Sequence, residues 1–171
     1  MTTTDTGVRG SLDGVIAEAL EAGGLEYEHP QPGAWLVSLQ GEHKLATMCW
    51  LVVGEHSVLV EAFVMRRPDE NHEKLYNYLL SKNSRMYGVA WAIDSAGDVY
   101  LVGRVAHHSI TADEVDRLLG CVLEYADGSF DQLLELGFGS SIKREWVWRV
   151  KNGESTANLR AFARFADPER G

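Results

Sequence analysis

Two adjacent histidines, His107 and His108, are the residues best suited to hold a metal or move a proton in this 171-residue chain. On an extended strand neighbouring side chains point to opposite faces, so the pair cannot share one ion. No third or fourth ligand follows at a metal-site spacing. His29, His43, His56 and His72 are dispersed and build no HxH or HExxH cluster. Asp94 and Asp98 resemble a carboxylate pair, but the run Asp94-Ser95-Ala96-Gly97-Asp98 has turn composition, where Asp bonds local backbone. Glu61 in VLVEAFV and Arg104 in LVGRVA are single charges inside apolar runs. Each is expected on a solvated face, because a buried ion pair is costly to desolvate; on a concave face the two would line a pocket. Cys49 and Cys121 match no zinc or redox spacing and are expected as buried free thiols. There is no GxSxG, Walker loop, dinucleotide fingerprint or CxxC, and Gly137-Phe138-Gly139 lacks the third glycine and preceding strand of a phosphate-binding turn. No catalytic, cofactor-binding or metal-ligating residue is assigned, and no cofactor is expected.

The sharpest local feature is Lys143-Arg-Glu-Trp-Val-Trp-Arg-Val-Lys151. Arg144, Trp146, Trp148 and Arg149 are the candidate partner-binding residues, since Trp and Arg are the usual anchors of protein interfaces. Basic residues interleaved with tryptophan also suit single-stranded nucleic acid, and the same element can instead pack its indoles on the acidic body. The segment from Lys143 to Arg170 holds seven Lys or Arg against four Asp or Glu, a net +3, which leaves -12 on the preceding 142 residues. The whole chain, at -9, lacks the basic footprint of a general nucleic-acid binder. That charge also repels anionic membrane surfaces. No apolar segment follows Met1 as a secretory signal would require, and no apolar run reaches the length of a membrane span, so a cytoplasmic protein is expected.

The elements that must position these residues follow from periodicity. Residues 1–10 are small and polar and read as a flexible N-terminus. Ser11 caps a helix carrying Leu12, Val15, Ile16, Ala19 and Leu20, which Gly23-Gly24 ends. The runs LEYEH, AWLVSLQ, KLATMCWLVVG and HSVLVEAFVMRR have strand composition with short turn-like breaks, and predict an antiparallel meander. Asp69 or Asn71 caps a second helix through Lys82. MYGVAWAI and VYLVGRVA flank the aspartate turn as a hairpin. Thr111-Ala-Asp-Glu114 is a capping box, opening a helix with the stripe Val115, Leu118, Leu119, Val122, Leu123 and Ala126. Gly128 interrupts it, and the stripe resumes through Phe130, Leu133, Leu134 and Leu136 to Gly137. Ser140 or Ser141 then caps a separate helix, IKREWVWRVKN, closed by Gly153; alternation of Trp146, Trp148 and Val150 would also suit a strand. Ser155 opens a last helix. The fold class is α+β, one twisted antiparallel sheet with helices on one face and a C-terminal helical extension. The domain spans 11–139, with 140–171 a basic, Trp-containing extension packed on or next to it.

The element order, with LVEAFVMRRPDENHEKLYNYLLSKN, MYGVAWAIDSAGDVYLVGRVA and TADEVDRLLGCVLEYADGSFDQLLELGF, resembles the YbjN family of bacterial sensory transduction regulators. One carrier is the N-x-x-x-L-x-x-x-L-L-x-x-N phrase of Asn71, Leu75, Leu79, Leu80 and Asn83. The resemblance covers about Ser11 to Gly139. It implies a type III secretion chaperone-like fold, whose members are small, acidic, often homodimeric and bind other proteins. It implies a non-enzymatic chaperone-like or regulatory module with a protein partner, and brings no catalytic residues. The alternative is a small-molecule-binding domain, or an enzyme, with its site on the sheet face.

Overall fold

The structure, a computed structural model, describes residues 3–168. Helix α1 (Thr3–Ala22) begins inside the segment expected to be flexible and does not wait for Ser11. Leu12, Ile16, Ala19 and Leu20, each buried, anchor the helix on the core. Extending an anchored helix costs little per residue compared with starting one. Met1 and Thr2 of that expected segment lie outside the described residues, as do 169–171 of the expected extension. The other end of α1 stops as read. Gly24 sits at φ +61, Leu25 N–H donates to Leu20 C=O and Gly24 N–H to Glu21 C=O, the two bonds of a Schellman cap.

Six strands form one antiparallel sheet: β1 (Glu26–Gln31), β2 (Ala34–Gln40), β3 (Ala46–Val53), β4 (Ser57–Met65), β5 (Ala90–Ile93) and β6 (Val99–Ala106), in the spatial order β1-β2-β3-β4-β6-β5. Alternation divides its two faces. Val37, Leu39, Cys49, Leu51, Val58, Val60, Ala62, Val99 and Leu101 are buried under the helices, while Met48, Trp50, Phe63 and Arg104 stay exposed on the other side. β1 is an edge strand with all residues exposed; its register slips between Glu28 and Gln31, at Pro30, which has no N–H to give to a ladder. Glu26 and Glu28 place charge on the same edge, a deterrent to further strand pairing.

The hairpin is shorter than MYGVAWAI predicts, because β5 begins only at Ala90. Gly88, at φ +72, turns the chain, and its carbonyl oxygen lies 2.0 Å from where a Cβ on Gly103 would sit. Two backbones meet there, which glycine alone permits. Helix α2 (His72–Asn83) has Asn71 at its N-cap, but Asn71 makes no side-chain cap; its Nδ2 donates instead to Leu136 C=O.

The largest departure is helix α3 (Ala112–Lys151), 40 residues without a break. Neither Gly128 nor Gly137 interrupts it, and no separate element opens at Ser140 or Ser141; Trp146 and Trp148 are helical, not in a strand. A lone glycine costs a helix about 1 kcal/mol, which tertiary packing readily overrides. Only half of the capping box is made. Thr111 Oγ1 accepts from Glu114 N–H, whereas the Glu114 carboxylate accepts from the Tyr87 hydroxyl. At 1.5 Å per residue α3 is about 60 Å long, twice the roughly 30 Å of a nine-residue strand. The helix must therefore overhang the sheet. A 3-10 turn (Ala157–Phe162) and the short α4 (Ala163–Ala166) fold back on the overhang.

Candidate functional site

The residues singled out for chemistry are taken up by structure. His107 and His108 lie in a 3-10 turn where β6 gives way to the cap of α3, and His107 Nε2 bonds the Gly54 carbonyl at 3.1 Å. Asp94 Oδ1 accepts from the N–H groups of Ala96 and Asp98 and so serves its own turn, whereas Asp98 Oδ1 accepts from Arg67 N–H and ties the turn to the segment after β4. Glu61 and Arg104 share the open sheet face, opposite Val102 and Leu59 respectively rather than each other. Among the described residues no three His, Cys, Asp or Glu side chains converge as a metal set. Burial pushes the Cys49 thiol up to about 12.

The four candidate partner residues divide. Trp146 is 7% exposed and packs with Phe162, Ala163 and Ala166, so its indole is core for the C-terminal turn rather than free surface. Arg149 is engaged by Glu145 at 2.6 Å and by the Ser155 carbonyl. Arg144 and Trp148 remain on the surface, four residues apart on one helix face, and Trp148 is 54% exposed.

An apolar groove of about 800 Å³, which neither of them lines, opens where α3 leaves the sheet. One wall is the row Phe130, Leu134, Phe138 and Ile142, a strict four-residue spacing along α3. The opposite wall is the end of β4, Phe63 to Arg66, and the β2–β3 loop with Lys44 and Leu45. Leu45 is 87% exposed and Phe63 41%, so the groove presents apolar surface to water. Phe63 also belongs to the open sheet face, where its ring meets Tyr100 edge-on, which makes groove and face continuous. Cations border it: Lys44 over the Phe130 ring at 5.8 Å and Arg66 over the Phe138 ring at 5.1 Å. Burial lowers the Lys44 ammonium pKa.

Both walls are fixed by carboxylates. Asp127 Oδ1 accepts from the N–H groups of His43 and Lys44 at 2.9 and 2.8 Å. Burial pushes the Asp127 carboxyl upward, but backbone N–H donors from Lys44, His43 and Glu42 outweigh it and leave its pKa below the ordinary value. One turn along, Asp131 bonds the His43 ring at 2.7 Å and raises its pKa, first through that bond and then through its charge. Gly41 is required beneath this tie, since a Cβ there would fall 2.2 Å from Asp127 Oδ1. On the other side Glu70 accepts from Ser140 N–H at 2.6 Å and from its hydroxyl at 2.7 Å, which lower the Glu70 pKa. The N–H groups of Asp69 and Glu70 donate to Gly137 C=O. The β4–α2 connection is thereby clamped onto the middle of α3. These groove residues escape sequence reasoning because Lys44, Leu45 and Arg66 sit in a loop and at a strand end; the four-residue row from Phe130 to Ile142 was the available signal.

Comparison with known proteins agrees with this architecture. The profile of the YbjN family, "Putative bacterial sensory transduction regulator", matches residues 13–135. The uncharacterized protein Rv0487 of Mycobacterium tuberculosis is 57% identical over 87% of this chain and 84% of its own length. The uncharacterized protein ML2442 of Mycobacterium leprae is 51% identical over 91% and 87%. Among solved structures, a chain of the ExsC–ExsE complex aligns with TM-score 0.55 and 19% identity, covering 73% of this chain and 95% of that one. A chain of the HopA1–SchA chaperone–effector complex aligns with TM-score 0.51 and 11% identity, covering 68% and 90%. At such identities the likeness is one of fold, that of type III secretion chaperones.

Proposed function

The chain belongs to the YbjN family, and from that premise we propose that it is a non-enzymatic, chaperone-like or regulatory module of the bacterial cytosol that holds a segment of a partner protein. The observation that carries this reading is the groove: exposed apolar side chains at Leu45 and Phe63, set among Lys44 and Arg66 in a chain of net charge -9. Buried apolar area supplies affinity, and the local cations select sign. The occupant is accordingly an apolar segment flanked by Asp or Glu. Trp148 and Arg144, along the same helix, extend the contact beyond the groove's outer end, Trp supplying area and Arg pairing with a carboxylate. The solved neighbours in complexes with protein partners support the class of activity. A second copy of the chain is the proposed cover for the bare sheet face with Met48 and Trp50, for which light scattering of the purified protein is the direct measurement.

The test is site-specific photo-crosslinking from position 45 in native cytosol, followed by reconstitution with the purified captured protein. A defined complex that loses affinity in Leu45→Asp and Phe63→Asp, with Trp148→Ala weakening it further, supports the reading. A reconstituted affinity that is unchanged in both groove variants overturns it.

A further inference from the structure

A second cavity, of about 640 Å³, lies between α2 and α3 and shares no lining residue with the groove. Trp91 of β5 lines it. The residue is 5% exposed, and its indole Nε1 is buried without a hydrogen-bond partner. That nitrogen has no surface open to the cavity, so the indole serves the site as a wall and not as a donor. The main chain of Trp91 is held in place: its N–H donates to Asn83 Oδ1 at 2.7 Å, and its carbonyl accepts from Asn83 Nδ2 at 3.2 Å.

The rest of the lining points to the ligand's chemistry. Lys82 and Arg85, one helical turn apart, line the same cavity, and neither has an ion-pair partner among the described residues. Two unpaired cations side by side stand out in a chain of net charge -9. Glu124 is the one carboxylate of the lining. The walls of Tyr78, Met86 and Tyr125 are aromatic or soft, and the Lys82 ammonium lies 4.8 Å from the Tyr78 ring centroid. A cavity of this size, with mixed apolar walls and a few convergent donors, is of the kind that takes small molecules.

From this arrangement we propose a binding site for a small aromatic carboxylate, independent of the partner groove. Its carboxylate sits at Lys82 and Arg85, and its ring lies against Tyr78, Met86, Tyr125 and the Trp91 indole. The probe is 4-hydroxybenzoate, titrated into the millimolar range against full-length protein with 15N-labelled indoles. Trp91→Phe assigns the Trp91 signal among the five tryptophans. The expected result is a saturable shift of that signal, with affinity reduced about tenfold or more in the double variant Lys82→Met, Arg85→Met and for neutral 4-hydroxybenzamide on the unaltered protein. No saturable shift, as when the cavity holds water alone, overturns the proposal. Equal binding of the benzamide overturns it too, since the cations would then select nothing. So does equal binding of inorganic phosphate, which would reduce the site to an unselective anion contact. The benzamide and phosphate comparisons need no variant and stand even if the double substitution disturbs folding.

Discussion

From Val115 to Phe138, α3 is a core helix; from Gly139 to Lys151 it is a beam reaching past the sheet. In the first half Val115, Leu118, Leu119, Val122, Ala126 and Leu133 are all 2% exposed or less. In the second half Val147, Trp148 and Val150 are each more than 50% exposed, and Trp146 finds burial only against the returning C-terminal turn. The residue types are alike. What differs is whether a sheet lies underneath. Apolar side chains over the sheet stabilise the fold, and the same side chains beyond its edge are left exposed to water.

Leu133→Ala should break this comparison most severely. A fully buried leucine in a continuous core loses about 2–5 kcal/mol on truncation, read as a lower urea midpoint at unchanged slope. Trp148→Ala, although it removes a larger side chain, should move the midpoint by less than about 0.5 kcal/mol. Equal effects would mean that the two halves are energetically one.

Glycines sharpen the same boundary. A Cβ at Gly137 would lie 2.9 Å from Pro68 Cβ and 3.3 Å from Leu75 Cδ1, so Gly137→Ala should cost about 1–3 kcal/mol by overpacking. A Cβ at Gly120 meets nothing within 4 Å, and Gly120→Ala should gain about 0.5–1 kcal/mol from helix propensity. Thermal melting of the two variants should shift in opposite directions.

Acid should release the beam before the core. The Glu70 pKa is depressed by bonds from the Ser140 N–H and hydroxyl, so the clamp contributes fully above the ordinary Glu value and is lost as pH falls through the lowered one. Amide exchange at 138–141 should accelerate in that window ahead of 115–133, and Glu70→Gln should abolish the pH dependence. His43 has the opposite sign. Its raised pKa means that the tie to Asp131 is complete below the ordinary His value and is lost as pH rises through the raised one. An NMR titration of His43 should show its pKa falling back in Asp131→Asn.

The smallest expected effect is chemical. Cys49, in the core with its thiol pushed up to about 12, should resist alkylation in the native protein, while half-buried Cys121 on α3 reacts first. Mass mapping after brief iodoacetamide treatment distinguishes the two.

Much of this fold is legible in residue order. Alternation in VLVEAFV correctly separates Val58, Val60 and Ala62 from Leu59, Glu61 and Phe63, because a strand's two-residue period leaves little choice once one face is buried. The stripe from Val115 to Ala126 is likewise explicit. Local rules mislead where a distant partner intervenes: Gly128 and Ser140 read as breaks, yet α3 runs on, with Glu70 taking the Ser140 N–H from seventy residues away. Asn71 reads as a side-chain cap and instead spends its amide on Leu136. The groove was illegible for a related reason, since Lys44 and Leu45 meet Phe130 and Ile142 only through the loop tie to Asp127.

The amino-acid sequence by itself determined the antiparallel sheet, its one buried face, the order of helices and the absence of known catalytic motifs. These depend on periodicity and turn chemistry, which are local. Tertiary structure alone decided that α3 is a single helix longer than the sheet it covers, which tryptophan is core and which is surface, and where an apolar wall acquires a cationic rim. Those outcomes depend on contacts between residues far apart in the chain, whose energies no local pattern records.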